Sequence, residues 1–183
     1  RPGIHYFMGG IDVDIDHKTN VANLYAAGEA CSAYHGANRL GGNSLLGAIY
    51  GGRKAGQSVI KDSNSTGTVD EDYDIKDITT DVEYKESEFE NARDSFIIEL
   101  RDILLSALGI VRNEALLNEG LTAIAKLSNS QLNEREKDRL SLAKALILSA
   151  LYRKESRGAN YREDYPDRND EFKGLTKAHL NEG

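Results

Sequence analysis

With 183 residues, a net charge of −7 and a single cysteine, the chain has room for one domain, or one and a piece, and cannot build an internal disulfide framework. Its acidity is local: residues 1–60 sum to +1, 61–90 to −8 and 91–183 to 0, so no basic stripe is present for nucleic acid. No apolar run is long enough to span a bilayer, and the start, Arg1-Pro2-Gly3-Ile4-His5-Tyr6, lacks the apolar stretch of a signal peptide.

Taken in chain order, Ile11, Val13 and Ile15 alternate with Asp12, Asp14 and Asp16, the period-two pattern of a half-exposed strand. His17 to Asn20 reads as a turn and Leu24 to Ala27 as a more buried strand, which together predict a hairpin. The opening residues read as the interior of a sheet, so the chain is expected to be a piece of a longer protein. A helix is predicted over Leu45–Ile60. Gly47, Gly51, Gly52 and Gly56 weaken its propensity and point to close packing along it.

Residues 61–84 are polar and acidic and read as a linker. Beyond them the period changes. Phe89, Ala92, Phe96, Leu100, Ile103 and Ala107 mark one face of a helix that stops near Gly109. Leu116, Leu117, Leu121, Ile124 and Leu127 mark a second. Asn133 is placed to cap a third, with Leu140, Ala143, Leu146, Ile147, Ala150 and Leu151 inward and Gly158 at its end. The expected organisation is an α/β piece over 1–60, a linker over 61–84, and a helical domain over 85–183 built as an all-α three-helix bundle with a polar tail.

The chemistry concentrates in His35-Gly36-Ala37-Asn38-Arg39-Leu40-Gly41-Gly42-Asn43-Ser44-Leu45-Leu46. A strand ending in Gly28-Glu29, a glycine-rich turn holding one arginine and then a helix start is how a chain meets an anion. The free N–H groups and the dipole of the helix favour negative charge, and Arg39 offers a planar fork that matches a carboxylate. Residue type alone favours a solvated or ion-paired Arg39, a satisfied core histidine at His5 and a small buried hydrophobe at Cys31. Asp12, Asp14 and Asp16 lack the glycine and closing glutamate of a calcium loop and read as solvated; no metal site is predicted. Arg157 and Arg162, with Glu163 and Asp164, are expected to form ion pairs that lock the tail onto the α/β piece.

Four strings occur in order: His5-Tyr6-Phe7-Met8-Gly9-Gly10, Leu24-Tyr25-Ala26-Ala27-Gly28-Glu29, His35 to Leu46, and Glu155-Ser156-Arg157-Gly158-Ala159-Asn160-Tyr161-Arg162-Glu163-Asp164-Tyr165-Pro166. Together they resemble the C-terminal portion of the flavoprotein subunit of succinate dehydrogenase and fumarate reductase, a family that also includes L-aspartate oxidase. The resemblance implies that residues 1–60 are the C-terminal piece of an FAD-binding Rossmann-like domain. It further implies FAD as cofactor and interconversion of succinate and fumarate by hydride transfer at flavin N5.

By the same resemblance His5 and Arg39 hold the carboxylates of the dicarboxylate, Glu29 contacts the ribityl chain, and Asn43, Ser44 and Leu45 lie under the flavin pyrimidine edge. The helical region is implied to help dock an iron–sulfur subunit, and the location to be cytoplasmic, peripheral to the membrane through partner subunits rather than inserted. The sequence holds no Gly-x-Gly-x-x-Gly and none of the capping domain whose arginine serves the family as acid/base, so the chain alone is expected to be inactive. Asn160 stands where the family commonly has histidine. Two alternatives stay open: a non-catalytic helical module that docks an iron–sulfur subunit, and a flavoenzyme like L-aspartate oxidase.

Overall fold

The computed structural model describes residues 5–31, 34–66 and 94–179. The chain divides into two compact units, Arg1–Asp81 and Val82–Gly183.

In the first unit one long helix, α1 (Asn43–Thr66), packs on a short 3-10 turn, Gly28–Ala30. The predicted strands are not extended strands. Only isolated bridges form among the described residues here, Ile11 with Cys31 and Lys18 with Tyr25. Ile15 is 83% exposed, so the alternating face buries too little to hold a strand, and among the described residues no third extended segment joins it. The aspartates become turn-makers instead: Asp14 Oδ1 accepts the N–H groups of Asp16 and Lys18, both at 2.9 Å. His17, at φ 62°, is buried and shares a 2.9 Å hydrogen bond with the Ala26 carbonyl through Nδ1.

Helix α1 runs six residues past the predicted end, so Lys61 to Thr66, assigned on polarity to the linker, are helical. Tertiary contacts explain the extension. Asp62 accepts from Lys18 Nζ at 2.8 Å and from Tyr25 hydroxyl at 2.5 Å, and these bonds tie the last turns of α1 to the 18–25 turn. Ser58 Oγ donates to the Asp16 carbonyl at 2.8 Å one turn earlier. The remainder of the predicted linker, together with Phe89 and Ala92, lies outside the described residues.

The second unit has α2 (Asp94–Ala107), α3 (Glu114–Leu127) and α4 (Glu134–Tyr152), which share one core. Phe96, Leu100, Leu117, Ile124, Leu140 and Ile147 are buried in it, each worth about 1.5–3 kcal/mol relative to exposure. Leu146, expected inward, is 41% exposed. Gly120 lets α3 approach α2 closely, since a Cβ there would lie 2.6 Å from that of Ala107. Asn133 caps α4 in a reciprocal box: its side chain accepts the Glu136 N–H at 3.0 Å, and Glu136 Oε2 accepts the Asn133 N–H at 2.9 Å.

Helix α4 ends at Tyr152, not near Gly158, because a buried arginine takes its terminal carbonyl: Arg162 Nη1 donates to Ala150 at 2.8 Å. Gly158, at φ 59°, instead turns the Arg157–Asn160 bridge. The polar tail is therefore partly interior. Glu155 is fully buried and accepts from Arg153 at 2.7 Å, from Arg157 at 3.0 Å and from the Asn169 N–H at 3.0 Å. Of the expected ion pairs, Arg162 takes Asp164, whereas Arg157 takes Glu155 and Asp170, and Glu163 accepts from the Asn113 side chain.

Burial pushes the Glu155 carboxyl up, but the Arg157 and Arg153 hydrogen bonds outweigh it and hold the group at about 2, against an ordinary value of 4.5. The lowered folded-state value stabilises the fold fully above pH 4.5, and that contribution is lost as pH falls towards 2. Glu155→Gln is thus expected to destabilise the helical unit at neutral pH and to flatten the fall in stability over that acid range. Urea titrations followed by circular dichroism at several pH values check this; parallel wild-type and variant curves would refute it.

Candidate functional site

Three segments of the first unit converge: 5–10, 28–31 and 34–43. Glu29 Oε1 accepts the Phe7 N–H at 2.8 Å, and the Arg39 N–H donates to Met8 Sδ at 3.1 Å. Both reach back to the Tyr6-Phe7-Met8 segment, so the acid and the arginine are placed by the same stretch of chain. Arg39 Cζ stands 4.5 Å above the centroid of the Tyr6 ring, and its Nη1 donates to the Leu40 carbonyl at 3.1 Å. Two nitrogens here, Arg39 Nε and His35 Nε2, are buried with no hydrogen-bond partner among the described residues. A buried donor left unpaired costs about 1–3 kcal/mol, and such groups gather where ligands bind.

Of the residues singled out in the sequence, His5 is exposed at the edge of this cluster. Glu29 is exposed beyond its bond to Phe7, and Asn43 and Ser44 are half-buried at the start of α1. Leu45 is 68% exposed, with Leu40 and Leu46 also uncovered beside it, so apolar surface flanks the first-turn N–H groups of α1.

Sequence reasoning did not assign Tyr6, Tyr34 or His35. The Tyr34 hydroxyl donates to the Gly28 carbonyl at 2.7 Å, and the Cys31 Sγ lies 3.3 Å from the same oxygen. This bonding fixes the turn that carries Glu29. Burial, together with the Cys31 contact, pushes the Tyr34 phenol well above its ordinary range, so it remains a neutral donor. The clue lay in Gly47, which the sequence marked only for close packing. A Cβ there would come within 2.9 Å of the Tyr34 ring and 3.1 Å of His35 Nε2. The site thus presents a guanidinium, a helix N-terminus and an apolar ledge, the equipment to bind a flat anionic group and a carboxylate.

Among the described residues no cluster of His, Cys, Asp and Glu could hold a metal ion, and no helix is long and apolar enough to cross a membrane. Residues 1–45 match the family model for an FAD binding domain, and residues 135–182 match that for the fumarate reductase flavoprotein C-term. L-aspartate oxidase of Pyrococcus horikoshii is 39% identical over 172 residues, covering 93% of this chain and 32% of the relative. The succinate dehydrogenase flavoprotein subunit of Bacillus subtilis is 34% identical, with 93% and 33% covered. Among solved structures, E. coli quinol fumarate reductase FrdA superposes with a TM-score of 0.68 at 30% identity, over 93% of this chain and 33% of that one. The chain therefore spans about a third of the length of the relatives it matches.

FAD is the cofactor this match brings, and the residues fit it: α1 offers N–H donors beside the exposed Leu45, and His35 keeps a buried nitrogen unpartnered. Matched at both ends and related along nearly its full length, the chain belongs to the succinate dehydrogenase/fumarate reductase family of FAD-binding flavoproteins.

Proposed function

We propose that this chain supplies the carboxylate clamp and part of the flavin cradle of an FAD-dependent oxidoreductase that interconverts succinate and fumarate. The observation that carries the reading is Arg39: a half-buried guanidinium without an ion-pair partner among the described residues, its Nε unsatisfied, next to a helix N-terminus. A planar fork in that state pairs with a carboxylate through two parallel N–H bonds. His5 donates to the same substrate, and the pair holds it in one orientation.

Glu29 holds the ribityl chain, while Asn43 and the N–H groups of Ser44 and Leu45 face the pyrimidine edge, where a helix N-terminus stabilises negative charge. The exposed Leu40 and Leu45 keep water from the reacting faces once covered. FAD, when bound, supplies the two-electron redox chemistry. In the complete protein α2 contributes to docking an iron–sulfur subunit, a role supported by Ile98 and Leu105, exposed two turns apart on one face.

Oxidation of L-aspartate is the second reading, supported by the 39% identical Pyrococcus horikoshii relative. Aspartate is also a four-carbon dicarboxylate and would use the same fork. Titrating the chain with FAD, by quenching of flavin fluorescence, with and without fumarate or L-aspartate, tests both. Saturable binding strengthened by fumarate is expected. Strengthening by L-aspartate alone would shift the assignment to the second reading, and absence of FAD binding would move the cradle's affinity to the rest of the protein.

A further inference from the structure

We propose that Tyr6 is a positioning residue: its ring face sets the plane of the Arg39 guanidinium and so the direction in which the carboxylate clamp points. This rests on the reading of Arg39 as that clamp. Arg39 Cζ lies 4.5 Å from the Tyr6 centroid, and the Arg39 N–H is anchored on Met8, two residues along the same segment. The Tyr6 ring is itself braced. It stands edge-on to His35 at 5.5 Å, and His35 stands edge-on to Tyr34 at 4.7 Å. The His35 and Tyr34 rings both lie against Gly47 in the first turns of α1. A continuous set of contacts therefore runs from the helix start to the guanidinium.

The physical reason for an aromatic support lies in what it leaves free. An aspartate or glutamate would hold Arg39 through its N–H fork, the same donors that a substrate carboxylate needs. Among the described residues no acidic side chain pairs with Arg39, and its one side-chain hydrogen bond is Nη1 to the Leu40 carbonyl. An aromatic face holds the cation through its π-surface instead, perpendicular to the plane of the donors. The arginine is thereby oriented and remains open along its edge.

The test follows the Arg39 side-chain Nε–Hε resonance of the 183-residue chain, assigned by its loss in Arg39→Lys. A proton held over an aromatic face is shifted upfield. Tyr6→Leu is expected to move the resonance downfield and to weaken fumarate binding, read from the same signal, roughly tenfold; Tyr6→Phe keeps the shielding and stays within about twofold of wild type. A merely structural role would not separate Phe from Leu in this way while the helical signal stays constant. An unmoved resonance in Tyr6→Leu, or one displaced as far in Tyr6→Phe, would overturn the proposal, and the Phe arm suffices if the Leu variant does not fold. Should Tyr6→Leu shift the signal while fumarate perturbs it in no protein, the positioning holds and the clamp reading fails.

Discussion

Arg39→Lys is expected to lower kcat/KM for the dicarboxylate by about a hundredfold in the full-length flavoprotein, the usual cost of removing one preorganised donor group from a reacting site. Lysine keeps the charge and loses the geometry. Its ammonium is a point charge on a flexible stem, without two parallel donors, and cannot stack on the Tyr6 ring as the flat guanidinium does 4.5 Å from the centroid. Steady-state kinetics separate the terms. If the fork acts mainly in binding, KM rises; if it aligns the substrate in the transition state, kcat falls as well. FAD content is expected to stay at the wild-type level, since Arg39 is assigned to the substrate and not to the flavin. Near-normal kinetics would remove Arg39 from the clamp.

The second large effect lies far from that chemistry. Arg162→Leu is expected to destabilise the helical unit by about 3 kcal/mol, the cost of losing its charged hydrogen bonds and leaving a buried carbonyl unsatisfied. Arg162 is 0% exposed. Its Nε and Nη2 grip Asp164 at 2.8 and 2.7 Å, and its Nη1 takes the Ala150 carbonyl at the end of α4. Loss of the side chain strands that carbonyl and takes from Asp164 its cation. Asp164, whose carboxyl is held below its usual range first by the Arg162 hydrogen bond, also accepts the Glu114 N–H at 2.8 Å. The damage therefore reaches the first turn of α3. A thermal midpoint lower by roughly 15 °C or more, measured by circular dichroism, corresponds to this loss in a unit of about 100 residues. A shift equivalent to less than ~1 kcal/mol would place Arg162 with ordinary surface pairs.

The helices were legible because their signals are local. Leu100, Leu117, Ile124, Leu140 and Ile147 are buried where the three-to-four-residue spacing puts them, and Asn133 caps α4 as its residue type suggests. The candidate site was legible for the same reason: the glycines, the arginine and the helix start are contiguous from Gly36 to Leu45. Period-two alternation at Ile11, Val13 and Ile15 misled because a strand exists only with a partner, and here only single bridges form. Leu146 was misjudged more simply, since it lies at the border of the α4 apolar stripe and remains partly exposed.

By itself, then, the sequence determined where helices form and which faces they bury, both of which depend on residues within a few turns of each other. Tertiary structure alone decided the fate of the charged tail. Glu155 carried no expectation and Arg162 only that of an ion pair, yet both are fully buried. Their burial depends on partners up to fourteen residues away, as with the Asn169 N–H on Glu155. The same holds for Tyr6, which bears on Arg39 only once residues more than thirty positions apart are folded together. Periodicity records what a residue does for its own helix. Which group satisfies a charge removed from water is settled only when distant backbone and side chains arrive to bond it.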